Sequence, residues 1–307
     1  MSPLRGITLK LLSVCVFVAM ASIIKATSDS IPPGQAVFFR SLFAIPVIGV
    51  WLAMRGELHT GLTTKNPMGH VWRGLVGTSA MGLSFAGLGL LPLPEVTAIG
   101  YAAPILVVIF AAMFLGEDVR LFRLSMVALG MAGVLVVLSP RLQLDPAAAD
   151  TRETLGAVLV LLSAVCAALA QVFVRKLVQT ETVSAIVFYF SITATLLSLL
   201  TLPWGWTVPS GQVLAMLICA GLLGGVGQIL LTTSYRHADA SLIAPFEYAS
   251  MLLAIIVGYT VFGEVPGAAT LAGAVMVVTA GILIIWRERQ LGLERARQRK
   301  AGPSQPQ

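Results

Sequence analysis

Charge is what this chain has least of. Of its 307 residues only 11% are Asp, Glu, Lys or Arg, against about 25% in ordinary soluble domains. Histidine and cysteine are scarce too, at three each. His59, His70 and His237 fall in expected loops or at helix ends, with no HExxH pairing. Cys15, Cys166 and Cys219 sit singly in apolar runs, without metal or redox spacing, and read as small core residues. There is no serine nucleophile elbow, no P-loop and no GxGxxG after a strand. These gaps exclude a zinc hydrolase, a disulfide scaffold, an ATP-driven pump and a dinucleotide enzyme. No polar stretch is long enough to be a soluble domain.

What the chain does have is apolar length. Hydrophobic residues make up 57% and mean hydropathy is +0.90, which describes a polytopic membrane protein. Scanning for about 20 apolar residues bounded by charge, Pro or Gly predicts ten helices. They cover 7–25, 34–54, 71–91, 94–115, 121–139, 154–175, 183–203, 211–234, 240–262 and 267–286. Very short connections, such as "PLP" at 92–94 and "GEVPG" at 263–267, imply antiparallel neighbours in a compact bundle.

The formal charge of +6 does not point to nucleic acid, because the basic residues gather in short loops and the tail. With a cytoplasmic N-terminus, 16 of the 20 Lys and Arg residues lie inside. Only Lys25, Arg141 and Arg152 lie outside, and Arg40 lies within the membrane. That asymmetry predicts an N-in, C-in chain. Residues 287–307 form a basic cytoplasmic tail suited to anionic lipid.

The second half repeats the first. "LLS" at 11–13 recurs at 161–163, "VFFRS" at 37–41 as "VFYFS" at 187–191, and Gly77 as Gly224. Tyr101 and "GE" at 116–117 meet Tyr248 and "GE" at 263–264, and "AGVLVVL" at 132–138 meets "AGILIIW" at 280–286. Every offset lies between 147 and 150 residues. The expected organisation is a five-helix repeat over 1–140, a periplasmic linker over 141–153 and a second repeat over 154–286. Five is odd, so the copies must cross the membrane in opposite senses, as in secondary transporters with a midplane site between halves. Arg5, Lys10 and the run ending near "AMAS" look like a cleavable signal, but this segment matches the sixth helix and is assigned to the mature fold.

Taken together, these features resemble the drug/metabolite transporter superfamily, EamA type: all-α integral membrane proteins of ten transmembrane helices in two inverted five-helix repeats. The features that carry the resemblance are the duplication, an Arg after paired aromatics in the second helix, "Gly-Glu" closing the fourth and ninth, and the short basic tail. It covers nearly the whole chain. It implies a permease of the bacterial inner membrane for a small-molecule metabolite, with no cofactor and no enzymatic activity. The stretch "MSPLRG…IPPGQAVFFRSLFAIP" further resembles a subgroup that includes riboflavin importers, so riboflavin uptake is the specific expectation, with export of amino acids, related metabolites or drugs as the alternative.

Few residues within the spans can contact a polar substrate. Arg40 keeps its charge under any condition, and its counterpart in the second half is Phe190, so the unit folds without it. It is expected either to anchor an anionic or carbonyl group or to snorkel outward. Glu247, with Gly100 as its counterpart, is the candidate for proton coupling. Tyr101 and Tyr248, with Phe39 and the neighbouring Phe38, Phe188 and Phe246, are candidate walls for a flat substrate. Gln228 and Gln171 either line the cavity or join helices. Lys25, Glu95, Glu117 and Glu264 read as interfacial residues at helix ends. Coupling ion and oligomeric state stay open, a homodimer included.

Overall fold

A computed structural model describes residues 3–57, 60–115, 121–141, 151–177, 180–237 and 244–301. Among them the regular structure is entirely helical. The first half contains α1 (Pro3–Thr27), α2 (Pro33–Leu42), α3 (Ala44–Met54), α4 (Pro67–Leu88), α5 (Leu93–Gly100), α6 (Ala102–Leu115) and α7 (Leu121–Leu138). The second contains α8 (Thr151–Leu177), α9 (Val183–Leu199), α10 (Gly211–His237), α11 (Ala249–Phe262) and α12 (Ala268–Ala301). Short 3-10 turns cover Ser139–Arg141 and Ala244–Tyr248.

These elements fall on the ten expected spans, and the departures have local causes. The second span is broken at Phe43 and the fourth at Tyr101. Pro46 and Pro104 offer no N–H to Leu42 and Gly100, the carbonyls one turn earlier, so the helical ladder lapses there. In the described part of the ninth span, Glu247 lies on a 3-10 turn, not within an α-helix. The tail does not leave the helix at residue 286: α12 runs on to Ala301.

Helix ends follow the local chemistry. Asn66 caps α4 by accepting from Gly69 N at 2.9 Å, with Pro67 in the first turn. Thr182 caps α9 through Ala185 N at 3.2 Å. At Gly263 the backbone turns left-handed, with φ 66°, and Glu264 N–H bonds back to Gly258 O at 2.8 Å. The equivalent "GE" with Glu117 lies outside the described residues.

Inter-helix contacts come in couples under exchange of the halves. The pairing of α1 with α10 corresponds to that of α8 with α4, and α4–α9 corresponds to α10–α2. The α2–α9 and α7–α12 contacts map onto themselves. The α7–α12 crossing brings backbone against backbone, since a Cβ on Gly133 would lie 2.8 Å from Gly273 O. Large apolar side chains such as Leu135, Leu196 and Val275 are exposed, as a lipid-facing surface requires. By length and composition alone, the helical stretches Leu4–Thr27, Pro33–Met54, Thr151–Val174 and Gly211–Leu231 suffice to cross a membrane.

Candidate functional site

Arg40 lies in the last turn of α2 and is 3% exposed, so it does not snorkel. Its guanidinium stands 5.8 Å from the ring of Phe190, its own counterpart in the other half. Arg73 of α4 approaches the same ring, 3.6 Å from the centroid. Both separations are within cation–π range. Nε and Nη1 of both arginines are buried without a hydrogen-bond partner. Among the described residues no carboxylate lies within ion-pair distance of either. A charged side chain at the middle of a span opposes insertion by about 2.5–3.5 kcal/mol, which makes two such groups together a functional signal.

A second cluster forms where the fourth and ninth spans break. The Tyr101 and Tyr248 rings meet edge to face at 5.2 Å, and Tyr101 Oη shares a 2.7 Å hydrogen bond with Ser250 Oγ. Gly281 of α12 makes room for the Tyr248 ring, because any Cβ there would overlap its hydroxyl. The two tyrosines singled out from the duplication are thus brought into contact. Beside them a cavity of about 310 Å³ is lined by Phe17, Met20 and Ala21 of α1, Phe85 of α4, Thr97 of α5, and Glu247 and Ser250. That volume is at the lower end of ligand sites, which span roughly 300–1,000 Å³. Met20 also touches the position of Gly224, against which Arg40 packs. It therefore separates the tyrosine cavity from the arginine cluster.

Glu247 is ion-paired with Lys10. Its side chain is 46% exposed, whereas that of Lys10 is 2% exposed. This corrects one expectation, since Lys10 is not a surface charge of the inner face; Glu247, the proton-coupling candidate, is a half-exposed carboxylate paired with it. At the other end of α1, Lys25 and Glu264 are not merely interfacial. Lys25 Nζ lies 2.9 Å from Glu264 Oε1 and donates to Leu88 O at 3.2 Å and Leu91 O at 2.7 Å. Glu264 Oε2 accepts from Leu93 N at 2.8 Å. The cavity therefore lies along α1 between two Lys–Glu pairs.

The other candidates sit apart from the cavity. Phe39 stacks on Phe43 at 6.2 Å and meets Phe38 edge-on at 5.5 Å. Phe38 also packs on Trp206, and Phe188 on Tyr189. Gln228 is half-buried on α10 and does not line the cavity. Near the start of α4, His70 Nε2 lies 3.5 Å from Glu181 Oε2. Glu181 belongs to the α8–α9 loop, outside the spans. Burial pushes its carboxyl up, but hydrogen bonds from the backbone N–H groups of Lys65 and Asn66, with His70 and Thr64, outweigh that and hold it below its usual value.

Sequence reasoning missed Arg73, which was assigned to the inner loops, and Ser250 and Met20. For Arg73 a signal existed: it lies six residues beyond Pro67, nearly two turns into α4.

Comparison with known proteins follows the same lines. The model of the EamA-like transporter family matches residues 4–139 and 154–286. A pseudopaline exporter of Pseudomonas aeruginosa is 30% identical over 281 residues, covering 91% of this chain and 95% of that protein. An S-adenosylmethionine uptake transporter of Rickettsia felis is 29% identical over 257 residues, 83% of this chain and 84% of that one. A riboflavin transporter of Rhizobium johnstonii is 27% identical over 260 residues, 84% and 82% respectively.

Proposed function

The chain belongs to the EamA-like transporter family, and we propose that it carries a small organic metabolite by alternating access between two inverted halves. It is a multi-pass transporter of the bacterial inner membrane, not an enzyme. The halves are residues 1–140 and 154–286, joined by a periplasmic linker, with both termini cytoplasmic. The observation that carries the mechanism is the cavity of about 310 Å³ bounded by α1, α4 and α5 from one half and by Glu247 and Ser250 from the other. A rocking motion of one half against the other opens such a space to either side in turn. Tyr101 and Tyr248, joined to the cavity wall through Ser250, supply flat apolar faces beside it. Glu247 supplies a carboxylate in the cavity wall, and Arg40 supplies positive charge from beyond Met20.

Riboflavin uptake is the specific reading, supported by the wording of residues 1–46 and by the riboflavin transporter at 27% identity. Its test is growth of a riboflavin-requiring bacterium, lacking its own importer, on micromolar riboflavin when this chain is expressed. Export is the second reading, supported by the 30% identity to the pseudopaline exporter across nearly the whole chain. No rescue with protein verified in the membrane, together with resistance to an added amino acid or drug, moves the assignment to export.

A further inference from the structure

The buried side-chain polar atoms without a partner, among the described residues, are confined to two helices: Arg40 and Ser41 on α2, and His70, Arg73 and Thr78 on α4. His70 Nε2 faces Glu181, which accounts for that atom. The remaining atoms are not accounted for, although native proteins pair nearly all such groups with protein, water or ligand. Four of them belong to two guanidiniums on one aromatic ring. Their distances to the Phe190 centroid, 5.8 and 3.6 Å, keep the two Cζ atoms within roughly a Debye length of each other. Like charges this close repel, and the ring answers them only weakly.

The backbone is shaped to hold them. A Cβ on Gly224 would lie 2.9 Å from Arg40 Nε, and one on Gly77 would lie 2.5 Å from Arg73 Nη1 and 3.0 Å from Phe190 Cε2. Gly77 and Gly224 are counterparts in the duplication: Gly224 on α10 makes room for Arg40 of α2, and Gly77, one turn beyond Arg73 on α4, makes room for Arg73 and for Phe190, the counterpart of Arg40. The arginines also enter from opposite faces. Arg40 follows the start of α2 and Arg73 the start of α4, and one membrane crossing, α2 with α3, separates those starts.

We propose that Arg40 and Arg73 form a two-guanidinium seat for an oxyanion, the carboxylate or phosphate of the transported molecule, where α2, α4 and α9 meet. The inference rests on the transporter reading but not on riboflavin. An oxyanion supplies what the site lacks: a negative charge between two positive ones, and acceptor lone pairs for four N–H-bearing nitrogens in the fork geometry guanidinium prefers. Phe190 packs against both guanidiniums and keeps water from screening them. One arginine reachable from each side gives the anion a partner in either open state.

The test is thermal unfolding of the purified full chain in detergent at fixed ionic strength, with sodium benzoate, phenyl phosphate or neutral benzamide added against sodium chloride. Benzoate and benzamide share shape and differ in charge, while phenyl phosphate distinguishes a phosphate seat from a carboxylate one. The expected result is a rise in Tm of about 2–4 °C at tenfold Kd with one or both acids and none with benzamide. That rise is lost in Arg40→Gln and in Arg73→Gln. Equal shifts from benzoate and benzamide in the wild type, no shift from either acid, or an acid shift surviving in both variants would overturn the proposal. The wild-type comparison decides it even if a variant does not fold. Failed riboflavin rescue with the acid shift retained removes only the riboflavin reading.

Discussion

Replacing Glu264 by Gln tests whether the Lys25–Glu264 pair is a closure or only a tether. The pair joins the end of α1 to the end of α11, and Lys25 also holds the last carbonyls around α4, Leu88 O and Leu91 O. Side-chain exposures of 13% and 16% place it well below the surface. Breaking fully buried pairs removes about 3–5 kcal/mol, and exposed pairs contribute at most about 1 kcal/mol. The intermediate exposure and the two retained carbonyl bonds to Lys25 suggest about 2–3 kcal/mol. If the pair is made only when the outer side is closed, that energy biases the conformational equilibrium by roughly 30- to 150-fold. The assay is the reaction rate of a cysteine placed at Ser84, in the cavity wall, with a membrane-impermeant thiol reagent added outside cells. Cys15, Cys166 and Cys219 are first replaced. Glu264→Gln should raise the rate by at least tenfold, and Lys25→Met should do the same without adding to it in the double variant. An unchanged rate in both would refute the closure, whatever happens to Tm.

Reporter fusions at residues 145 and 207 should report the periplasm and a fusion at the C-terminus the cytoplasm; a cytoplasmic signal at either loop contradicts the inverted halves. Arg40→Ala should insert and express at wild-type levels yet lose transport, because Phe190 occupies the equivalent place in the other half; transport at the wild-type rate would remove Arg40 from the site. Glu181→Gln should lower stability by about 1–3 kcal/mol at neutral pH, since the bonds from Lys65 and Asn66 N–H lose a charged acceptor. Its folded carboxyl is held below the ordinary value of 4.5, so this contribution is complete above that pH and fades as pH falls through the lower folded value. Melting curves of wild type and variant should therefore converge in acid; a gap that stays constant down to the lowest pH would contradict the assignment.

The spans were legible because a membrane leaves a coarse requirement: enough apolar residues in a row, then charge or Pro and Gly. The duplication made Tyr101 and Tyr248 legible as a pair, and they do touch. The breaks at Phe43 and Tyr101 were legible in principle, since Pro46 and Pro104 were visible. They went unread because hydropathy over a 20-residue window does not register one missing N–H. Continuation of α12 past Trp286 was hidden for a related reason. Charge marks where a helix leaves the lipid, not where it stops being a helix, and Arg, Glu, Gln and Ala all favour helix.

Arg73 and Lys10 show where one-dimensional reading stops. Both were counted among inner-face charges, which suits the positive-inside rule because that rule counts residues near span ends without asking where their side chains go. A side chain one or two turns into a helix can reach the surface or turn inward, and only its neighbours on other helices decide. For Arg73 the deciding neighbour is Phe190, and for Lys10 it is Glu247. Those contacts span 117 and 237 residues of sequence. Arg40 was easier only because its own span is otherwise apolar from Gly34 to Met54, apart from Gln35. A basic residue near the end of a span is therefore ambiguous between topology and chemistry. For Arg73 the ambiguity is settled by a glycine one turn along its own helix and an aromatic ring on another, features that a count of positive loops does not contain.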